Sequence, residues 1–208
     1  MQKLGVLAEE CLKILNGGQL TSDIQITFNQ MVIAVGQARD NRARTVFWEN
    51  KRLGEGDIDA SFIKDYDNVV VSLDDTKKLY YSELPAQVLG IANDMGVYQI
   101  LWQEDQSSAF TRVPNGFTSL TRGLAVANMQ GKPTFFREGT RVYYPNLKKK
   151  KGVKSVLMKL LPSASSLTED DFCYMPSEME QDVIQMVVQL YSNQQQVMND
   201  VGNDNIKR

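Results

Sequence analysis

The chain of 208 residues contains no histidine. That removes the side chain most often used as a general base or metal ligand, and with it every histidine-based nucleophile triad. Oxygen, sulfur and lysine chemistry remain. Three acidic pairs, Glu9-Glu10, Asp74-Asp75 and Asp170-Asp171, are the first candidates. Adjacent side chains point to opposite faces of a strand, or diverge by about 100° on a helix. A catalytic carboxylate pair must instead face one substrate. Asp74-Asp75-Thr76 reads as a hairpin turn whose aspartates accept backbone hydrogen bonds. Cys11 and Cys173 are far apart and neither belongs to a C-x-x-C pair. Two cysteines close at most one disulfide, so two buried thiols are expected.

Two glycine-containing stretches resemble phosphate-binding loops and fail in detail. Gly54-Glu55-Gly56 begins a dinucleotide fingerprint, but Asp59 stands at the third glycine position and no strand directly precedes it. Gly131-Lys132-Pro133-Thr134 has a proline between lysine and threonine, and Val126 where the upstream glycine belongs. The run Lys148-Lys149-Lys150-Lys151 lies between two expected strands. It reads as a solvated loop tip, or as a contact to an acidic neighbour or to DNA phosphates. Without interleaved aromatics it does not suit single-strand binding. No catalytic, metal or cofactor residue is expected, and no enzymatic activity.

The net charge of -2 and hydrophobic content of 42% describe an ordinary globular chain, with no basic surface to grip nucleic acid throughout. The opening residues lack the features of a secretory signal, and no apolar window approaches the roughly 18 residues that span a membrane. A soluble protein made in a cytoplasm is expected.

The elements divide the chain into helical ends and a β centre. Leu4, Leu7, Ala8, Cys11 and Leu15 form a helical stripe over 3–16, ended by Asn16-Gly17-Gly18. Thr21-Ser22-Asp23, with Gln25 three residues after Ser22, offers a capping box for a second helix reaching about Phe47. Its stripe is Phe28, Met31, Val32, Val35, Ala38 and Arg42. Short β-branched and aromatic runs follow at 69–73, 78–81, 97–102, 134–137, 141–144 and 155–160, with Arg137-Glu138-Gly139-Thr140 as a hairpin turn. A short helix is expected over 117–129, between strands. Residues 176–198 form the strongest helix, with Ser177 and Glu180 as its capping box. Its stripe of Met179, Val183, Val187, Leu190 and Tyr191 is widened by Ile184, Met186 and Val188, which implies burial on more than one side. Residues 199–208 are polar and expected to fray. The fold class is therefore α+β: an N-terminal helical hairpin (1–52), a central antiparallel β meander or sandwich (53–162), and a long C-terminal helix and tail (163–208), organised as one unit.

Two stretches together carry a resemblance. One is Leu12-Lys13-Ile14-Leu15-Asn16-Gly17-Gly18-Gln19-Leu20, followed by a helix bearing Val35-Gly36-Gln37-Ala38-Arg39-Asp40. The other is Met175-Pro176-Ser177-Glu178-Met179-Glu180, continuing through Val187-Val188-Gln189-Leu190-Tyr191 to Asn203-Asp204-Asn205. They resemble the connector, or ring, proteins of the head–tail junction in tailed phages, especially crAss-like phages. The likeness covers the two ends, about a third of the chain. It implies a virion protein assembled in the host cytoplasm, a subunit of a homo-oligomeric, dodecameric ring below the portal. It further implies contacts with portal, tail and other ring proteins, and transient non-specific DNA contact in the lumen, with no membrane and no cofactor. The alternative is a soluble adaptor or regulatory binding module without catalysis.

Interface residues expected on this reading are Lys148, Lys149, Lys150 and Lys151 in the loop, and Val183, Val187, Leu190 and Tyr191 on the last helix. The tail adds Asn203, Asp204, Asn205 and Ile206. Ordering ten tail residues costs on the order of 10 kcal/mol, and burying Val201 and Ile206 returns about 3–6 kcal/mol. The tail is therefore expected to act as a latch held by a neighbouring subunit.

Overall fold

The computed structural model describes residues 1–17, 26–54, 58–114, 133–147 and 155–204. They show helices together with mostly antiparallel sheets, an α+β protein. The chain divides into two compact units: one is built from both ends, 1–62 with 163–208, and the other from the intervening 63–162.

In the helical unit, α1 (Leu4–Leu15) buries Leu4, Leu7, Ala8, Cys11 and Leu12, as its periodicity requires. Helix α2 (Phe28–Leu53) begins later and ends later than its sequence suggests. Its capping box is Thr27 with Gln30: the Gln30 N–H donates to Thr27 Oγ1 at 3.3 Å and the Thr27 N–H to Gln30 Oε1 at 2.8 Å. The competing box at Ser22 and Gln25 lies outside the described residues. At the other end α2 continues beyond Phe47 until Gly54, whose φ of 81° supplies the left-handed C-cap. The first glycine of the apparent dinucleotide fingerprint is thus a helix stop. A shared backbone approach fixes Gly36 as well, because a Cβ there would lie 2.8 Å from the Cβ of Ala164.

Helix α3 (Glu180–Asp204) packs against α1 and α2 and is preceded by a 3-10 turn at Ser177–Met179. The Ser177–Glu180 box does not form. Glu180 is itself buried, and its Oε1 accepts the backbone N–H of Gln2 at 3.1 Å. The helix also runs on to Asp204 where fraying is expected. Once nucleated, each added residue gains a backbone hydrogen bond, and Gln and Met are good helix formers.

In the β unit the strands are β1 (Lys64–Val70), β2 (Ser72–Asp74), β3 (Leu79–Glu83), β4 (Val97–Trp102), β5 (Thr111–Arg112), β6 (Thr134–Glu138), β7 (Arg141–Tyr144) and β8 (Ser155–Leu160). The run expected at 69–73 is the junction of β1 and β2, broken at Val71. The sheets are β1-β8-β4 and β2-β3-β7-β6-β5, antiparallel except for the short β5–β6 pairing. Hairpins join β2 to β3 and β6 to β7, the latter through Gly139 at φ 62°. The remaining neighbours are distant in sequence, so the strands do not run as a meander. Both sheets enclose one core: Ile100, Val156 and Met158 from the first meet Phe135, Val142 and Tyr144 from the second. Phe110 bridges them edge-on, 4.7 Å from the Trp102 ring and 5.6 Å from Tyr144. The short helix expected over 117–129 lies outside the described residues.

Candidate interaction surfaces

The most heavily built polar group in the helical unit is Arg39 with Asp40. Arg39 is wholly buried on α2, a placement its position four residues after Val35 and four before Ala43 makes unavoidable. Its Nη1 donates to Asp40 Oδ1 at 2.8 Å, and its Nε and Nη2 donate to the Tyr174 carbonyl at 3.0 and 2.7 Å. Asp40 accepts from Ser163 Oγ at 2.8 Å and from the Ala164 N–H at 3.1 Å. A buried charge pair must have its remaining donors and acceptors satisfied, and here backbone groups do so. This is a structural clamp, with the guanidinium wholly buried.

Beside it lies an open groove of about 560 Å³, walled by Leu4, Val32, Ile33 and Leu167, with Gln37 and Arg44 among its polar lining. Arg44 donates to Asn41 Oδ1 at 3.0 Å.

On α3 the apolar stripe is wider than its cover. Val183, Ile184 and Val187 are buried against the rest of the helical unit, while Met186 and Leu190 are 42% and 53% exposed. Met186 and Leu190 are four residues apart on one ridge, next to the Val183 and Val187 line, so the exposed surface continues the core. Of the residues expected at an interface, Val183 and Val187 therefore face inward in their own chain. Leu190 faces solvent and Tyr191 is partly buried. Asn203 and Asp204 fall in the last turn of α3, where the backbone alone is described. Lys148, Lys149, Lys150, Lys151, Asn205 and Ile206 lie outside the described residues.

Sequence reasoning missed the far end of α2. Trp48 is 51% exposed, with Lys51 Nζ 4.9 Å from its ring centroid, and Arg52 and Leu53 are exposed beside it. The signal was available, since Trp48, Lys51 and Arg52 share one ridge once the helix is carried past Phe47.

Of the acidic pairs, Glu9-Glu10 lies within α1, and the two aspartate pairs behave as turn residues. Asp74 Oδ1 accepts from the N–H groups of Thr76 and Lys77 at 2.9 and 3.1 Å. The Lys77 backbone N–H is the main cause that holds the Asp74 carboxyl below the usual range. Asp171 Oδ2 caps Thr168 in the same manner. Burial pushes both thiols up, Cys11 to about 12 and Cys173 to about 11. Thiols held protonated in this way do not act as nucleophiles. Among the described residues no group of three His, Cys, Asp or Glu is placed to hold a metal ion, and no helix is long and apolar enough to cross a membrane. Compared with known proteins, the chain matches no family model and no curated sequence.

Proposed function

We propose that this protein is a structural subunit without catalytic activity, forming a ring at the head–tail junction of a tailed-phage virion that links portal to tail and conducts DNA. The observation that carries an assembly role is the uncovered ridge of Met186 and Leu190 on α3. Isolated exposed apolar residues are ordinary. A ridge continuous with the core is a surface that another chain can complete. The place in the virion is read from the resemblance of the two chain ends to connector proteins. The ring is read as a dodecamer formed in the host cytoplasm, with portal and tail proteins as neighbours and transient DNA contact in its lumen. A second reading, a soluble adaptor, is favoured by the open groove of about 560 Å³ beside Gly36.

Sedimentation of the purified chain separates the two. A ring subunit gives a multimer whose mass falls to that of one chain when Leu190→Glu places a charge on the ridge. A chain that stays monomeric, or a Leu190→Glu variant that assembles unchanged, overturns the ridge as an assembly surface.

A further inference from the structure

We infer that the C-terminal half of α2 binds single-stranded nucleic acid, with a base stacked on Trp48 and phosphates held by Arg44, Lys51 and Arg52. Arg44 and Arg52 stand four residues to either side of Trp48, and Lys51 stands three after it. On a helix those spacings make all three cations direct neighbours of the indole. Lys51 and Arg52 are exposed and Arg44 is partly so. Glu49 diverges from Trp48 by about 100°. The other charges of α2 are already committed: Arg39 and Asp40 are buried together, and Arg42 Nη2 lies 3.3 Å from Asp182 Oδ2. Acids return past the helix stop at Gly54, with Glu55, Asp57 and Asp59, the last accepting the Ser61 N–H at 2.8 Å.

Trp48 is braced as a platform. Its ring meets buried Phe47 edge-on, with centroids 5.5 Å apart at 71°, and Lys51 Nζ lies 4.9 Å from its centroid. Half of the residue still stands open to solvent, at 51% exposure. A side chain already held in place gives up little freedom when a base stacks on it. Exposed Gln37 and Asn41, seven residues before Arg44 and Trp48, continue the same face and add amide donors.

Charge alone would suit any polyanion. The interleaving of ring and cations selects one whose repeating unit carries both a planar base and a phosphate. That interleaving is what the Lys148-Lys149-Lys150-Lys151 run lacks. An acidic peptide would meet the cations and leave the indole uncovered, and a duplex keeps its base faces stacked inside. From Arg44 to Arg52 the ridge spans about 12 Å, the length of about three to four stacked nucleotides at about 3.4 Å each. With a net charge of -2 over the whole chain, the attraction is local to this ridge. The contact uses no residue of the Met186–Leu190 ridge, so it holds for a single chain as well as for a ring.

Fluorescence anisotropy of a short end-labelled oligothymidine, titrated with the full chain at low salt, tests this. The strand should bind, and Trp48→Ala should weaken binding roughly ten- to hundredfold while Trp48→Phe keeps most of it. With three cations engaged, the logarithm of the affinity should fall against the logarithm of salt concentration with a slope of about −2. Lys51→Gln/Arg52→Gln should reduce that slope to about a third. Urea melts of each variant check that the fold is unchanged. A strand that does not bind, or a Trp48→Ala variant that binds as wild type does, overturns the inference. A duplex of the same length that binds as tightly as the single strand overturns it too. Polyglutamate that displaces the strand at equal charge assigns the ridge to acidic protein segments instead. A Trp48→Ala change that lowers sedimentation mass in the absence of nucleic acid assigns it to a second copy of the chain, and either result ends the nucleic-acid reading.

Discussion

Arg39 and Asp40, neighbours on one helix, between them hold both points at which the chain leaves and re-enters the helical unit. Arg39 Nη2 donates to the Phe62 carbonyl at 3.4 Å and Asp40 Oδ2 accepts from Ser163 Oγ at 2.8 Å. Phe62 and Ser163 are the last and first residues on either side of the 63–162 insertion. Consecutive helical side chains ordinarily diverge. Here the length of arginine lets the guanidinium curl back to its neighbour.

Breaking this pair leaves an unpaired charge inside the unit. Arg39→Met or Asp40→Ala should each lower stability by about 3–5 kcal/mol. Arg39→Met/Asp40→Leu should cost less than the sum of the two. Urea denaturation of the three variants measures this, and additive losses would show that the two charges are not coupled.

Gly36→Ala should be destabilising although alanine is the better helix former. Helix propensity favours alanine by about 1 kcal/mol, but the new methyl would sit 2.8 Å from Ala164 Cβ, and overpacking costs roughly 1–3 kcal/mol. Adding Ala164→Gly should recover most of the loss. A Gly36→Ala protein that melts above wild type would mean that the Ala164 turn yields freely.

The thiols predict an alkaline limit to stability. Burial, with a smaller contribution from the Glu10 carboxylate, raises Cys11 from 9.0 to about 12, and burial raises Cys173 from 9.0 to about 11. The unfolded chain therefore loses these protons first as pH rises. Their contribution is fully present below about pH 9 and is lost progressively towards pH 11–12. Urea midpoints should fall across that window, and less steeply in Cys11→Ala/Cys173→Ala. Native protein at pH 8 should react with a thiol reagent only as fast as it opens, and both thiols should react at once in denaturant.

Deleting residues 199–208 should leave a folded, soluble protomer that no longer assembles. The helical unit packs through Val183, Ile184 and Val187, well before the deletion. Thermal melting and sedimentation read the two effects separately. Normal assembly of the truncated chain would end the latch idea.

Helix α1 and the apolar stripe of α3 were legible because their apolar residues recur at three and four. Cap positions were not. Ser22-x-x-Gln25 and Ser177-x-x-Glu180 satisfy the same pattern as Thr27-x-x-Gln30, and only tertiary contacts decide. Glu180 is claimed by the Gln2 backbone instead. Strand β1 was half hidden because Asp65 and Asp67 stand on an exposed edge, where strand propensity gives a weak signal. The β8 position between β1 and β4 could not be read, since pairing of strands far apart in sequence leaves no local pattern. On the surface, the basic ridge at Trp48 was lost with the misplaced end of α2. Leu190 was found, but the inward turn of Val183 and Val187 depends on how α3 meets α1 and α2.

Because Arg39 bonds to Tyr174, 135 residues further on, the helical unit has a fixed place in the order of synthesis. At the usual ribosomal pace of 5–20 residues per second, about 7–27 seconds separate the two residues, 135 positions apart, as they emerge. During that interval the nascent chain carries α1 and α2 with Arg39 lacking its Tyr174 acceptor and the bed for α3 bare. The β unit, contiguous from 63 to 162, is completed within the same interval, before Tyr174 emerges. The inserted unit is thus the first part able to fold, and the helical unit that encloses it in sequence is the last. A chain released early would display the apolar bed of α3 to every neighbour on the polysome, which ties this protein's yield to completion of its final helix.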